Sequence, residues 1–428
     1  MAGCSSNQPP AENPNGSPSR PSEIESTYAW VRLFASLALM TLGSSGMYIV
    51  VVAMPAIEAD FESARAGASL PFTLIMIGWG IGGIWMGRLA DRFSITVPIT
   101  IGSIAIGCGF IAASYADSLL MFALANGIFI GFLGCSTMFA PLLADITYWF
   151  SKRRGIAVAI CASGNYIAGA VWPPITNYYI HEIGWRETYF GIGILCLLVM
   201  FPLTLLLRRQ RSGDTNAASS NVDYINPRSL GLTPNALLAL IFIAGVGCCI
   251  AMAMPQVHIV SMCHDFGYGP ARGAEMLSLM LGFGIVSRLG FGLVTDKIGG
   301  LRTLLIASAL QCIALFLFLP ANGLQTLYAV SILFGLFQGG VVPCYAIIVR
   351  EYFPANEAGA KLGIIIFATL IGMALGGYLS GVIFDFTGSY DAAFIHGIAW
   401  NLVNVAIAAF LLHRRNRHLN MDGQASLA

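Results

Sequence analysis

Runs of about 20 apolar residues recur along nearly the whole chain, and each is long enough to cross a bilayer. Hydrocarbon offers no water to an exposed backbone, so such runs must satisfy their own hydrogen bonds as helices. Twelve can be placed, at roughly 31–53, 71–90, 95–114, 119–143, 155–175, 188–207, 235–259, 274–294, 302–320, 325–348, 362–384 and 392–412. Composition agrees: 57% of the 428 residues are hydrophobic and 10% charged, where a soluble domain carries about a quarter charged. The fold class that follows is an all-α membrane protein with twelve transmembrane helices.

Twelve spans put both termini on one side. If that side is cytoplasmic, the other side receives only Arg65, Arg186 and Arg272 of the 22 Lys and Arg, and Arg288 falls inside a span. Cytoplasmic loops carry the excess of basic residues, so both termini are expected in the cytoplasm of a cell-membrane protein. Net charge is +1, which speaks for no nucleic-acid partner.

The stretch Arg208–Thr233 is the longest polar interior segment, and its Ser, Asn, Gly and Pro content marks a linker. The expected organisation is a disordered cytoplasmic tail (1–27), a six-helix bundle (28–208), a cytoplasmic linker (209–233), a second six-helix bundle (234–413) and a tail (414–428). The two halves share a motif, G-x-x-x-D-[RK], at equal places. It reads Gly87, Asp91 and Arg92 after the second span, and Gly292, Asp296 and Lys297, trailed by Arg302, after the eighth. Glycine allows close helix approach, and an Asp–Arg pair at the rim can latch across a helix interface. Asp145, near the end of the fourth span, is expected to pair with Arg88 or Arg92.

The paired motifs resemble the signature of the major facilitator superfamily over residues 28–415. Ser94 stands where the family has glycine in the first copy. The resemblance implies two pseudo-symmetric six-helix bundles rocking about a central site. A finer resemblance, to monocarboxylate transporters and their oxalate/formate relatives, rests on Phe150, Lys152, Arg153, Arg154, Ala157 and Gly164. Ahead of the first span, Glu25, Ala29 and Trp30 match part of another motif of that group.

Arg288 lies in Val286–Val294, a segment similar to the eighth-helix stretch that carries the group's substrate-binding Arg. A guanidinium is always charged and presents a planar fork to a carboxylate. The residue stands eight positions before Asp296, about 12 Å along the helix and near the bilayer midplane. A charge at that depth needs a partner, a cavity or a ligand. If the superfamily arrangement holds, Tyr48, Gln338, Tyr345 and His258 line the same cavity, and Asn165 and Tyr166 on the fifth span face Arg288.

Departures from the group matter. Gly284 stands where proton-coupled animal members carry an acid, Tyr48 where they carry a Lys, and Thr369 near a further Lys of the oxalate exchanger. One cation suits a monoanion. Proton coupling does not carry over: protons could travel with the substrate, pass through His258, or take no part.

The ten cysteines are scattered and lack metal spacing. Neither a Gly-rich phosphate loop nor a nucleophile triad appears, so an enzyme and a cofactor or metal are not expected. The sequence therefore reads as a secondary transporter of a small carboxylate, working as a monomer in the bilayer. An exporter of amphipathic compounds with a structural Arg288, and a non-transporting membrane sensor, are the alternatives.

Overall fold

The computed structural model describes residues 25–150, 153–209, 230–321 and 323–425. Most of the expected N-terminal tail and linker, with Lys152, lies outside the described residues, as do the side chains of Asp91 and Arg154. Twelve helices long and apolar enough to cross a membrane are present among the described residues. They are the first to sixth spans, Thr27–Asp60, Arg65–Ala90, Thr96–Ser114, Leu119–Trp149, Gly155–Ile183 and Trp185–Leu205, and the seventh to twelfth, Pro234–Asp265, Pro270–Ile298, Gly300–Phe318, Leu324–Tyr352, Glu357–Thr387 and Tyr390–Arg417.

Each expected span corresponds to one of these, but most helices run past the apolar stretch. Apolar residues mark only the hydrocarbon depth, whereas a helix can continue through polar residues at the interface. The last helix continues to Ala425, through most of the segment expected as a tail.

The two halves repeat one plan. Ser26 and Thr233 stand at equivalent helix starts, and their hydroxyls accept the N–H of Ala29 and Ala236, each satisfying an end donor of its helix. The first span packs on the fifth as the seventh does on the eleventh. The second on the fourth mirrors the eighth on the tenth, and the third on the sixth mirrors the ninth on the twelfth. These pairings define two pseudo-symmetric six-helix bundles.

Three spans are interrupted midway. The first stops at Gly43 and restarts at Ser45. The fourth widens into a π-helical stretch over Asn126–Cys135 and kinks at Phe139, while the tenth breaks at Gly339–Gly340. The first and fourth spans meet at their breaks, where a Cβ on Gly43 would lie 2.4 Å from Met138 and one on Gly46 2.2 Å from Ile130.

Two main seams join the bundles, the second span on the eleventh and the fifth on the eighth, and the first and seventh spans also touch between them. Pseudo-symmetry relates the two seams. Toward the face opposite the termini both are tight. A Cβ on Gly381 would come within 3.0 Å of Ala66, one on Gly80 within 2.7 Å of Phe367, and one on Gly284 within 2.5 Å of Tyr166. Further along the same helix stripes, toward the terminal face, a Cβ on Gly83, Gly87, Gly155, Gly292, Gly359 or Gly363 would meet nothing within 4 Å. Both seams splay apart, leaving a cleft open on the terminal face and shut on the other.

The loop after each shared motif keeps one backbone shape despite unlike residues. Gly299 has φ 82° and Ser94 has φ 113°, a region that costs a residue with a Cβ about 1–3 kcal/mol. Ser94→Gly is therefore expected to stabilise the protein by roughly 1 kcal/mol, read as a higher thermal midpoint in detergent. An unchanged or lower midpoint would count against strain at Ser94.

Candidate functional site

The tight part of the fifth–eighth seam ends at Arg288. Ala162, Asn165, Tyr166 and Gly169 form one stripe of the fifth span, at the three- and four-residue spacing that shares a helix face. Arg288 reaches that stripe from the other bundle. Its Nη1 donates to the Ala162 carbonyl at 3.3 Å, and its guanidinium carbon lies 4.2 Å from the centre of the Tyr166 ring. Nε is buried and has no hydrogen-bond partner among the described residues. Nη2 has none either. One edge and one face of the guanidinium are thus engaged, and the Nε–Nη2 edge is free.

Tyr48 of the first span comes in beside this stripe. Its hydroxyl donates to Asn165 Oδ1 at 3.0 Å, and Asn165 Nδ2 donates to Ser44 Oγ at 3.3 Å, the residue at the break in that span. Gly169 makes the convergence possible, since a Cβ there would lie 2.0 Å from Leu281 and 2.8 Å from Tyr48. Tyr48, Asn165, Tyr166 and Arg288 are thereby gathered from three spans of two bundles. Gly284, one turn before Arg288, backs onto the Tyr166 ring and leaves no room for a side chain.

The other expected lining residues lie elsewhere. Gln338 accepts a hydrogen bond from Gln256 at 2.8 Å, a pair linking the tenth and seventh spans. Tyr345 is buried within the second bundle, donating to Asn404 Oδ1 at 3.0 Å, and Asn404 in turn donates to Ser308 Oγ at 2.8 Å. Polar partners behind the tenth span satisfy the hydroxyl there, as buried polar groups require. His258 is also displaced from the Arg288 site. It is buried nearer the closed face, with Nε2 2.8 Å from the Gly377 carbonyl.

The described side chains of the shared rim motif are disengaged in this conformation. Arg92, Asp296, Lys297 and Arg302 are exposed, and none forms an ion pair among the described residues. Gly87 and Gly292, expected to bring helices together, face open space. The seams have parted at this level, so the residues of a latch stand apart.

Asp145 also departs from expectation. Rather than Arg88 or Arg92, both exposed, its partner is Arg32 of the first span, through Nε–Oδ2 at 2.6 Å and Nη2–Oδ1 at 2.8 Å. Arg32 Nη1 donates to the carbonyls of Leu207 and Arg209 at 3.0 and 3.1 Å, and its guanidinium lies 4.9 Å from the Trp149 ring. Sequence reasoning missed this pair, although its signal was available: an Arg one turn into the first span and an Asp one turn before the end of the fourth sit at equal depth. Just above it, the two finer motifs meet. Glu25 accepts from the Arg153 N–H at 2.9 Å, and Trp30 packs edge-on against Phe150 at 5.2 Å.

Comparison with known proteins gives a consistent picture. Residues 34–324 and 241–424 match the family model for the Major Facilitator Superfamily. The chain is 26% identical over 382 residues to Monocarboxylate transporter 13 of Rattus norvegicus, across 89% of this chain and 86% of that protein. It is 24% identical over 337 residues to the uncharacterized MFS-type transporter YcxA of Bacillus subtilis, across 77% and 82%. Among solved structures it resembles a bacterial homolog of the human lysosomal transporter Spinster in an inward-facing and occupied conformation. That likeness has a TM-score of 0.68 at 14% identity, over 92% of this chain and 97% of the other.

Proposed function

The chain belongs to the Major Facilitator Superfamily, and from that premise we propose that it moves a small organic anion, a monocarboxylate, across the cell membrane by alternating access. Arg288 binds the carboxylate. The observation that carries this reading is the free edge of Arg288, a buried Nε with no partner among the described residues beside an unengaged Nη2. A carboxylate fits that edge with two parallel charge-assisted hydrogen bonds. The engaged edge and the Tyr166 ring hold the fork in place, so little side-chain freedom is lost on binding. Tyr48 and Asn165 hydrogen-bond to each other beside it and supply the polar wall that a hydroxyl or keto group of the anion would meet.

The site lies between the bundles, where alternating access needs it. With the termini in the cytoplasm, as the distribution of Lys and Arg supports, the open cleft faces inward and the Arg65 side is external. The rim motifs Gly87–Arg92 and Gly292–Arg302 would then come together when the cleft closes. Two relatives named as monocarboxylate transporters, from rat and cow, support the substrate class.

The test is uptake of radiolabelled lactate, pyruvate, formate and oxalate into proteoliposomes. The monoanions are expected to accumulate and to compete with one another, oxalate less well. Transport of amphipathic compounds with no carboxylate uptake would establish the exporter reading instead.

A further inference from the structure

The closed face is held by a charge network that crosses between the bundles. Arg65, at the start of the second span, is almost fully buried. Its Nε donates to Glu58 of its own bundle at 2.8 Å, and its Nη2 to Asp265 of the other at 2.9 Å. Nη1 donates to the Tyr390 hydroxyl, and the guanidinium lies 4.8 Å from the centre of the Phe384 ring. Both of these residues belong to the second bundle. Asp385 completes the crossing: its two carboxylate oxygens accept the backbone N–H groups of Arg65 and Ala66 at 2.9 and 2.8 Å. An acid of one bundle thus caps a helix of the other, where end N–H groups lack partners and the helix dipole favours negative charge.

We propose that Arg65, Asp265 and Asp385 form the latch of this face, the counterpart of the disengaged rim motif on the terminal face. Three features point to a latch rather than a fixed strut. The cross-bundle hydrogen bonds and ion pairs of the network can be exchanged for bonds to water as the seam parts. The contacts beneath it centre on glycines, Gly381 on the Ala66 backbone, Gly377 on the Phe72 ring and Gly80 on Phe367, so one partner in each has no side chain to withdraw. The network is also unbalanced: the guanidinium pairs with two carboxylates, Glu58 and Asp265, and a third, Asp385, sits on the N-terminus of the same helix, so removing that cation leaves acids of both bundles facing one another across the seam. Its role as a gate rests on the alternating-access reading above, but its test needs no substrate.

Hydrogen exchange of the protein in nanodiscs reads the two faces separately. Wild type is expected to exchange slowly in 65–73 and 377–385 and fast in 155–162 and 286–292. Arg65→Ala should speed exchange at the closed face by at least about tenfold and slow it at the terminal face, because the cleft changes sides. Combining Arg65→Glu with Asp265→Arg restores a cross-bundle pair and should return the wild-type pattern. Unchanged exchange at the closed face, or faster exchange at both faces that the paired reversal does not repair, would overturn the latch. If the latch holds and no carboxylate is taken up in proteoliposomes, it is the substrate assignment that fails.

Discussion

Arg288→Ala is expected to lower carboxylate uptake by roughly a hundredfold or more, with little change in stability. The size follows from the lost charge-assisted bidentate contact, worth about 3 kcal/mol. Stability should hold because Arg288 makes a single 3.3 Å bond to a carbonyl of the other bundle, and the substitution leaves no charge behind. Arg288→Lys separates geometry from charge. A lysine keeps the cation but not the fork or the fit under Tyr166, so uptake should recover only in part, about tenfold below wild type. Uptake rates and the thermal midpoint of each variant decide the matter. Wild-type transport by Arg288→Ala would remove the residue from the site, and loss of uptake together with a collapsed midpoint would make it a structural arginine.

The second large effect concerns the fold. Arg32→Ala strands Asp145 in the first bundle, where it is 9% exposed. Breaking a buried pair in this way costs about 3–5 kcal/mol. Asp145→Ala should cost less, since the carbonyls of Leu207 and Arg209 still accept from the guanidinium. Replacing both, Arg32→Met with Asp145→Leu, should recover most of the loss, because two apolar side chains of similar volume require no compensation. Thermal unfolding of the four proteins gives the comparison. Equal midpoints for wild type and Arg32→Ala would show the pair to be dispensable.

The sequence was most legible where one physical demand repeats. Twelve apolar runs stand out because the bilayer asks the same of each, and the halves show themselves through Gly87–Arg92 and Gly292–Lys297. Interruptions in spans one, four and ten were invisible, since hydropathy is blind to helical phase and to the carbonyl a residue bonds. The gathering of Tyr48, Asn165 and Tyr166 near Arg288 was within reach because superfamily geometry sets which spans face each other. The bond from Tyr345 to Asn404 was not legible, because span membership does not say which side of a span a residue faces. Arg32–Asp145 and the Arg65 network were missed for a related reason. Charge counting sorts basic residues by side of the membrane and says nothing of partners a hundred or more positions away.

The two seams are alike in packing and unlike in charge. Counting back four residues from the motif glycines, Arg288 in one half corresponds to Gly83 in the other. The two seams are related by pseudo-symmetry, yet only one of these equivalent positions carries a cation. In the groove with Gly83, Gly80 packs against Phe367. If Arg288 is the carboxylate anchor, changes of substrate preference among relatives of this chain are expected to accumulate on the fifth and eighth spans more than on the second and eleventh.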